Sequence, residues 1–182
     1  MIKTVLIINN QGKPRLTKFY SRGGPGGGQR PDEATQQRII REIAQLVTRR
    51  PDSMCNFLEG SKMLGGPDSK IIYRHYATLY FVFEVDSSES ELGILDLIHV
   101  FVETMDYAFK SVREIDIIFH SDKVHYILDE IIMGGMVLET NVREIIGALE
   151  ASVRLEREQK ELSNKALASG RNHGSGRSPS VR

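Results

Sequence analysis

The 182-residue chain reads as an α+β domain: a five-stranded antiparallel sheet held between helices, with an extra helix at its C-terminal end. Three observations carry that reading. Ile71–Ala77 and Leu79–Val85 bear bulky residues on both faces, Tyr73 beside Ile72 and Phe81 beside Val82. Strands of this kind need cover on both sides. The segment after them, with Leu92, Ile94, Leu95, Leu97, Ile98, Val100, Phe101, Val102 and Met105, is apolar nearly all round and predicts a central helix. The order of hairpin, helix, three strands and then helices places one helix on one face of the sheet and two on the other.

Ile2 to Asn9 is rich in β-branched residues and predicts a strand. Asn9-Asn-Gln-Gly12 supplies turn chemistry, because Asn and Gly tolerate positive φ, and Arg15 to Tyr20 is the returning strand. The Gly-rich stretch 21–31 breaks the pattern as a flexible loop. Asp32 or Thr35 caps a helix that runs to about Arg50, with Ile39, Ile40, Ile43, Leu46 and Val47 on one face and Pro51 as its stop. A short strand follows near Asn56–Glu59, then a turn over Gly60–Ser69.

Beyond the two central strands, Ser88-Glu-Ser-Glu91 has the spacing of a capping box. Glu114–Phe119 is a short apolar segment. Asp122 opens a helix with Val124, Ile127, Leu128, Ile131 and Ile132 on one face, which Gly134-Gly135 ends. Asn141 caps a last helix that turns Ile145, Ile146, Leu149 and Val153 inward, and from Arg154 to Glu161 its charge predicts projection into solvent. From Lys165 onward Ser, Gly and Arg dominate without an acidic residue, a composition of disorder. The chain divides into a domain over 1–155, with an insertion at 21–31, and a charged helix end with a disordered basic tail over 156–182.

Composition bounds the function. Hydrophobic residues make up 40% and charged residues 26%, with a formal net charge of zero. A domain-wide basic field for nucleic acid is therefore absent. The lone Cys55 forms no internal disulfide, builds no Cys-rich metal site, and suits the cytosol. No apolar stretch approaches the roughly 18 residues that span a bilayer.

The usual signatures of catalysis are missing. Gly23-Gly-Pro-Gly-Gly-Gly28 lacks the Lys-Ser/Thr of a phosphate loop, and Pro25 removes an N–H donor. His120 and His125 are five apart rather than four, a poor zinc spacing. Cys55 has no nucleophile signature and reads as a buried structural thiol. Glu84 stands in an otherwise apolar strand, where it faces a partner chain or the sheet edge. No cofactor, metal or enzymatic activity is expected.

Several longer stretches carry a resemblance. Gly12-Lys-Pro-Arg-Leu-Thr-Lys-Phe-Tyr20, Asn56-Phe-Leu-Glu-Gly60, Ile71–Leu79 and Phe101-Val-Glu-Thr104 resemble the sigma, or small, subunits of clathrin-adaptor-type complexes. The likeness covers about residues 1–20 and 32–155. Asp86–Ile98 and Met133–Asn141 are similar within that family to the sigma subunit of the third adaptor complex. The resemblance implies a longin-like fold and a heterotetramer of two large chains, one medium and one small. It implies a small chain that stabilises the core and helps bind acidic dileucine sorting signals on cargo bound for lysosome or vacuole. Such complexes are cytoplasmic and peripheral on Golgi and endosomal membranes and coated vesicles.

Residue by residue, the resemblance puts Arg15 near the acidic position of a signal, and Ala77, Leu79, Val102, Val112, Ile115 and Ile117 around its two leucines. Read without it, Arg15 is an ordinary solvated strand charge and the apolar six are core. The Gly-rich insertion, Glu84 and the basic tail depart from the family pattern. A second reading is another longin-type component of vesicle fusion or tethering. The absence of sustained heptads and of an apolar end after Arg154 disfavours it.

Overall fold

The computed structural model describes residues 1–20, 31–51, 54–59 and 68–171. The Gly-rich insertion except Pro31, most of the turn after β3, and the tail 172–182 lie outside them. The expectations placed on those segments, phosphate loop included, therefore lie outside the described residues as well.

The strands β1 (Ile2–Asn9), β2 (Pro14–Phe19), β3 (Phe57–Glu59), β4 (Ser69–Tyr76) and β5 (Leu79–Asp86) form one sheet in the order β2-β1-β5-β4-β3, antiparallel throughout. β5 is the middle strand, and its residues Leu79 to Val85 are all buried. The side chains alternate between two cores, as a two-residue period requires. Leu6, Ile8, Ile71, Tyr73 and Val82 meet Ile39, Ile40, Ile43, Ala44 and Val47 of α1 (Glu33–Thr48). On the other face Val5, Ile7, Ile72, Phe81 and Phe83 meet α2 (Glu91–Phe109), α3 (Glu114–Phe119), α4 (Ser121–Ile131) and α5 (Val142–Arg171). The sheet between one helix and a helix layer is as expected; the second layer holds four helices rather than two.

Local chemistry explains where the boundaries fall. In the β1–β2 turn, Asn9 Oδ1 accepts the backbone N–H groups of Gln11 (3.0 Å) and Lys13 (2.9 Å). α1 starts after Asp32, but the Asp32 side chain makes no capping bond. The cap of α2 is Ser90, whose Oγ accepts the Gly93 N–H at 3.3 Å. The expected capping box from Ser88 does not form, because Ser88 bonds Asp86 Oδ1 within the preceding turn. Lys110 and Ser111 stop α2 in left-handed conformations (φ 55° and 79°). Asp106 holds that stop through its carbonyl to Ser111 N–H and its carboxylate to Val112 N–H.

Several readings are corrected. Glu114–Phe119 is helical, capped by Asp116, which accepts the Arg113 backbone N–H at 3.0 Å. Gly134-Gly135 does not end α4. Both glycines have positive φ (60° and 82°) and turn a small hairpin between β6 (Ile132–Met133) and β7 (Met136–Val137). Val153 is 36% exposed rather than inward, since α5 has left the core by then. α5 runs past Lys165 to Arg171, so regular structure continues beyond the point where composition changes. Cys55 is exposed, not buried: it lies in the connection before β3, where Arg50 bonds its carbonyl at 3.0 Å.

Glu84 faces neither a sheet edge nor solvent. It is 2% exposed on β5, and its carboxylate accepts hydrogen bonds from Thr4 Oγ1 (2.7 Å) and Ser69 Oγ (3.0 Å) on the two flanking strands. A buried carboxylate is tolerated because these hydroxyls replace water. The three residues tie β1, β5 and β4 together on the α1 side of the sheet.

Two substitutions test these assignments by equilibrium denaturation. Glu84→Ala takes the acceptor from the Thr4 hydroxyl and the shortest bond from Ser69, and should cost about 1–3 kcal/mol; an unchanged midpoint would contradict the tie. At Gly135 a Cβ would stand 2.3 Å from the Ile2 carbonyl oxygen, whereas at Gly134 nothing lies within 4 Å. Gly135→Ala should therefore cost about 2–4 kcal/mol and Gly134→Ala about 1 kcal/mol, and equal costs would refute the close approach.

Candidate functional site

The residues that chemistry singles out meet at one end of the sheet. Arg15 extends from β2, Asn9 ends β1, Thr78 lies in the two-residue β4–β5 turn, and Glu114 is the first residue of α3. The Arg15 guanidinium donates through Nε and Nη2 to Glu114 Oε1, both at 2.7 Å. Asn9 Nδ2 donates to the same oxygen at 3.2 Å, and Thr78 Oγ1 reaches Oε2 at 3.4 Å. The side chains of Arg15 and Glu114 are 21% and 28% exposed. Arg15 is thus half-buried in an ion pair rather than a freely solvated strand charge.

The guanidinium beside Glu114 holds its carboxyl below the usual carboxylate range, burial opposes that shift, and Asn9 and Thr78 add to it. The carboxylate is consequently ionised at neutral pH. Its place at the first turn of a helix also suits a negative charge.

The seven residues singled out by sequence divide by burial. Leu79 (6%) and Ile117 (0%) belong to the core beneath α2, and Val102 and Val112 pack half-buried against it. Ile115 is 47% exposed, and Ala77 is exposed at the tip of the β4–β5 turn with a left-handed backbone (φ 53°). Arg15 meets this group through Glu114, which neighbours Ile115 in the chain and is bonded to Thr78, next to Ala77. Clefts of about 400–870 Å³ lie elsewhere on the described residues, and none of the seven lines them. Ala77 and Ile115 thus stand at the surface with Leu79 and Ile117 in the core behind them.

Sequence reasoning missed Glu114, which lies at the centre of the cluster, together with Asn9 and Thr78. A carboxylate opening a short apolar run was the available signal. Two further apolar residues of α3, Ile118 (43% exposed) and Phe119 (74%), widen the exposed apolar surface of that helix. Among the described residues no group of three or more His, Cys, Asp or Glu is placed to hold a metal ion.

Comparison with known proteins bears on this geometry. Residues 1–156 match the family model for the clathrin adaptor complex small chain. The AP-3 complex subunit sigma-2 of Homo sapiens is 61% identical over 163 residues, covering 90% of this chain and 80% of that protein. The AP-3 complex subunit sigma of Dictyostelium discoideum is 54% identical over 164 residues, covering 89% of this chain and 91% of that protein. Among structures, a chain of a homology model of the full-length AP-3 complex in a stretched open conformation aligns with a TM-score of 0.65 and 36% identity. That alignment covers 91% of this chain and 99% of the other. Proteins of this kind are structural components of vesicle trafficking and not enzymes. The chain therefore belongs to the clathrin adaptor complex small-chain family, and within it resembles the sigma subunits of AP-3 complexes.

Proposed function

We propose that this chain is the sigma subunit of an AP-3-type heterotetramer with two large chains and one medium chain. In that setting it takes acidic dileucine sorting signals on cargo bound for lysosome or vacuole, at Golgi and endosomal membranes. Arg15 receives the acidic residue of the signal, and the strip with Ala77, Leu79, Val102, Val112, Ile115 and Ile117 receives the leucines. The observation that carries the reading is the Arg15 guanidinium: it already binds a carboxylate, and that carboxylate, Glu114, is the chain neighbour of the exposed Ile115 and is bonded to Thr78 beside the exposed Ala77. No described helix is long and apolar enough to cross a membrane, so membrane contact in this reading comes through the partner chains.

The energetics divide the work. Each leucine buried contributes about 1.5–3 kcal/mol. An ion pair at a partly exposed arginine contributes about 0–1 kcal/mol. The leucines supply affinity and Arg15 favours an acid upstream. Ordering the peptide offsets much of the gain, and several signals on one membrane restore avidity.

The exposed turn position makes Ala77 the residue to enlarge. In the assembled complex, Ala77→Trp should weaken an acidic dileucine peptide about tenfold to a hundredfold, the worth of one leucine pocket. Ala77→Ser, which adds a single atom, should change it little. Fluorescence anisotropy with a labelled peptide reads both, and undiminished binding by an intact Ala77→Trp complex would refute the assignment.

A further inference from the structure

The geometry points to Glu114 as an internal competitor for the signal: its carboxylate occupies the Arg15 guanidinium and must be displaced when an acidic peptide docks. The inference rests on the dileucine reading above and adds to it the element that sets how strongly acidity is rewarded.

Two features make Glu114 a competitor rather than a bystander. Nε and Nη2 of Arg15 are the two nitrogens of one planar edge, and both converge on Glu114 Oε1 at 2.7 Å. That edge is the part of a guanidinium best shaped for a carboxylate. An incoming acid meets it already taken, and meets the Glu114 charge as well. The competitor is also held in place, by Asn9 Nδ2 on one oxygen and by Thr78 Oγ1 on the other. These braces come from β1 and from the β4–β5 turn. Movement of that turn, on which Ala77 also lies, would loosen the hold of Glu114 on Arg15. Docking of leucines at the strip and release of the guanidinium are thereby mechanically connected.

Competition makes a distinctive prediction about charge. In the parent protein, docking exchanges one carboxylate on Arg15 for another, so the number of ion pairs does not change. Binding should then depend weakly on ionic strength. In Glu114→Gln docking creates an ion pair where there was none. Binding should tighten and become more sensitive to salt.

The test uses the assembled complex and two synthetic dileucine peptides, one with a glutamate at the acidic position and one with glutamine there. Glu114→Gln should tighten the glutamate peptide about threefold to fivefold, change the glutamine peptide less than about twofold, and steepen the salt dependence of the first alone. Thr78→Val, which removes a brace and leaves the charge, should give a smaller change in the same direction. It stands in if Glu114→Gln does not assemble. Weaker glutamate-peptide binding by Glu114→Gln would overturn the inference and make Glu114 a positioning residue for Arg15. Unchanged affinity and salt dependence would overturn it too, while Arg15→Ala still abolishing the preference for glutamate would leave the dileucine reading standing. A parent complex that binds neither peptide would overturn both.

Discussion

The structure depends on the burial of β5 on both faces. A strand with Phe81, Phe83 and Val85 toward one side and Tyr80 and Val82 toward the other has no face to give to water. It must sit in the middle of a sheet, and that sheet must be covered twice. β1 and β4 flank it, α1 closes one side, and α2 with α4 and α5 closes the other. Glu84 is the one polar residue in this run from Leu79 to Val85, and its two hydroxyl partners come from the flanking strands. A polar group in the most buried strand thereby acts as a register mark, because a slip of one residue would move it out of reach of both Thr4 and Ser69 and turn it into the opposite core.

The same architecture explains why the cluster at Arg15 is built as it is. Four elements arrive at one end of the sheet: the end of β1, the start of β2, the β4–β5 turn and the start of α3. Each contributes one polar side chain, Asn9, Arg15, Thr78 and Glu114. The polar groups satisfy one another at the rim, and Ile117 and Leu79 anchor the same elements in the core behind it.

Much of this was legible in the sequence, and what was missed has physical causes. Period-two and period-3.6 patterns report burial, so β1, β2, β4, β5 and the inward faces of α1, α2 and α4 could be read directly. Ser88 and Ser90 both satisfy the chemistry of a cap, and only the turn made by Asp86 decides between them. Gly134-Gly135 suits a helix end and a tight hairpin equally; the choice lies in contact with Ile2, a residue remote in the chain. For α3 the pattern failed because three of its four large apolar residues, Ile115, Ile118 and Phe119, point outward. The Arg15–Glu114 pair, spanning 99 positions, has no local signature at all.

The first strand carries a consequence for synthesis. β1 lies between β2 and β5, and its hydrogen bonds to β5 join residues about 80 positions apart, Thr4 to Glu84 among them. The Ile2 N–H reaches further still, to the Gly135 carbonyl. During translation β1 and β2 emerge as an isolated hairpin, with Leu6 and Ile8 bare on one side and Val5 and Ile7 on the other. Leu6 and Ile8 stay bare until α1 follows, and Val5 and Ile7 until α2 and the later helices leave the ribosome. Such a hairpin is a sticky edge until its neighbours arrive. The nascent chain is thus a natural client for chaperones, and the long wait for its own central strand gives it a reason to meet them before it meets its partners.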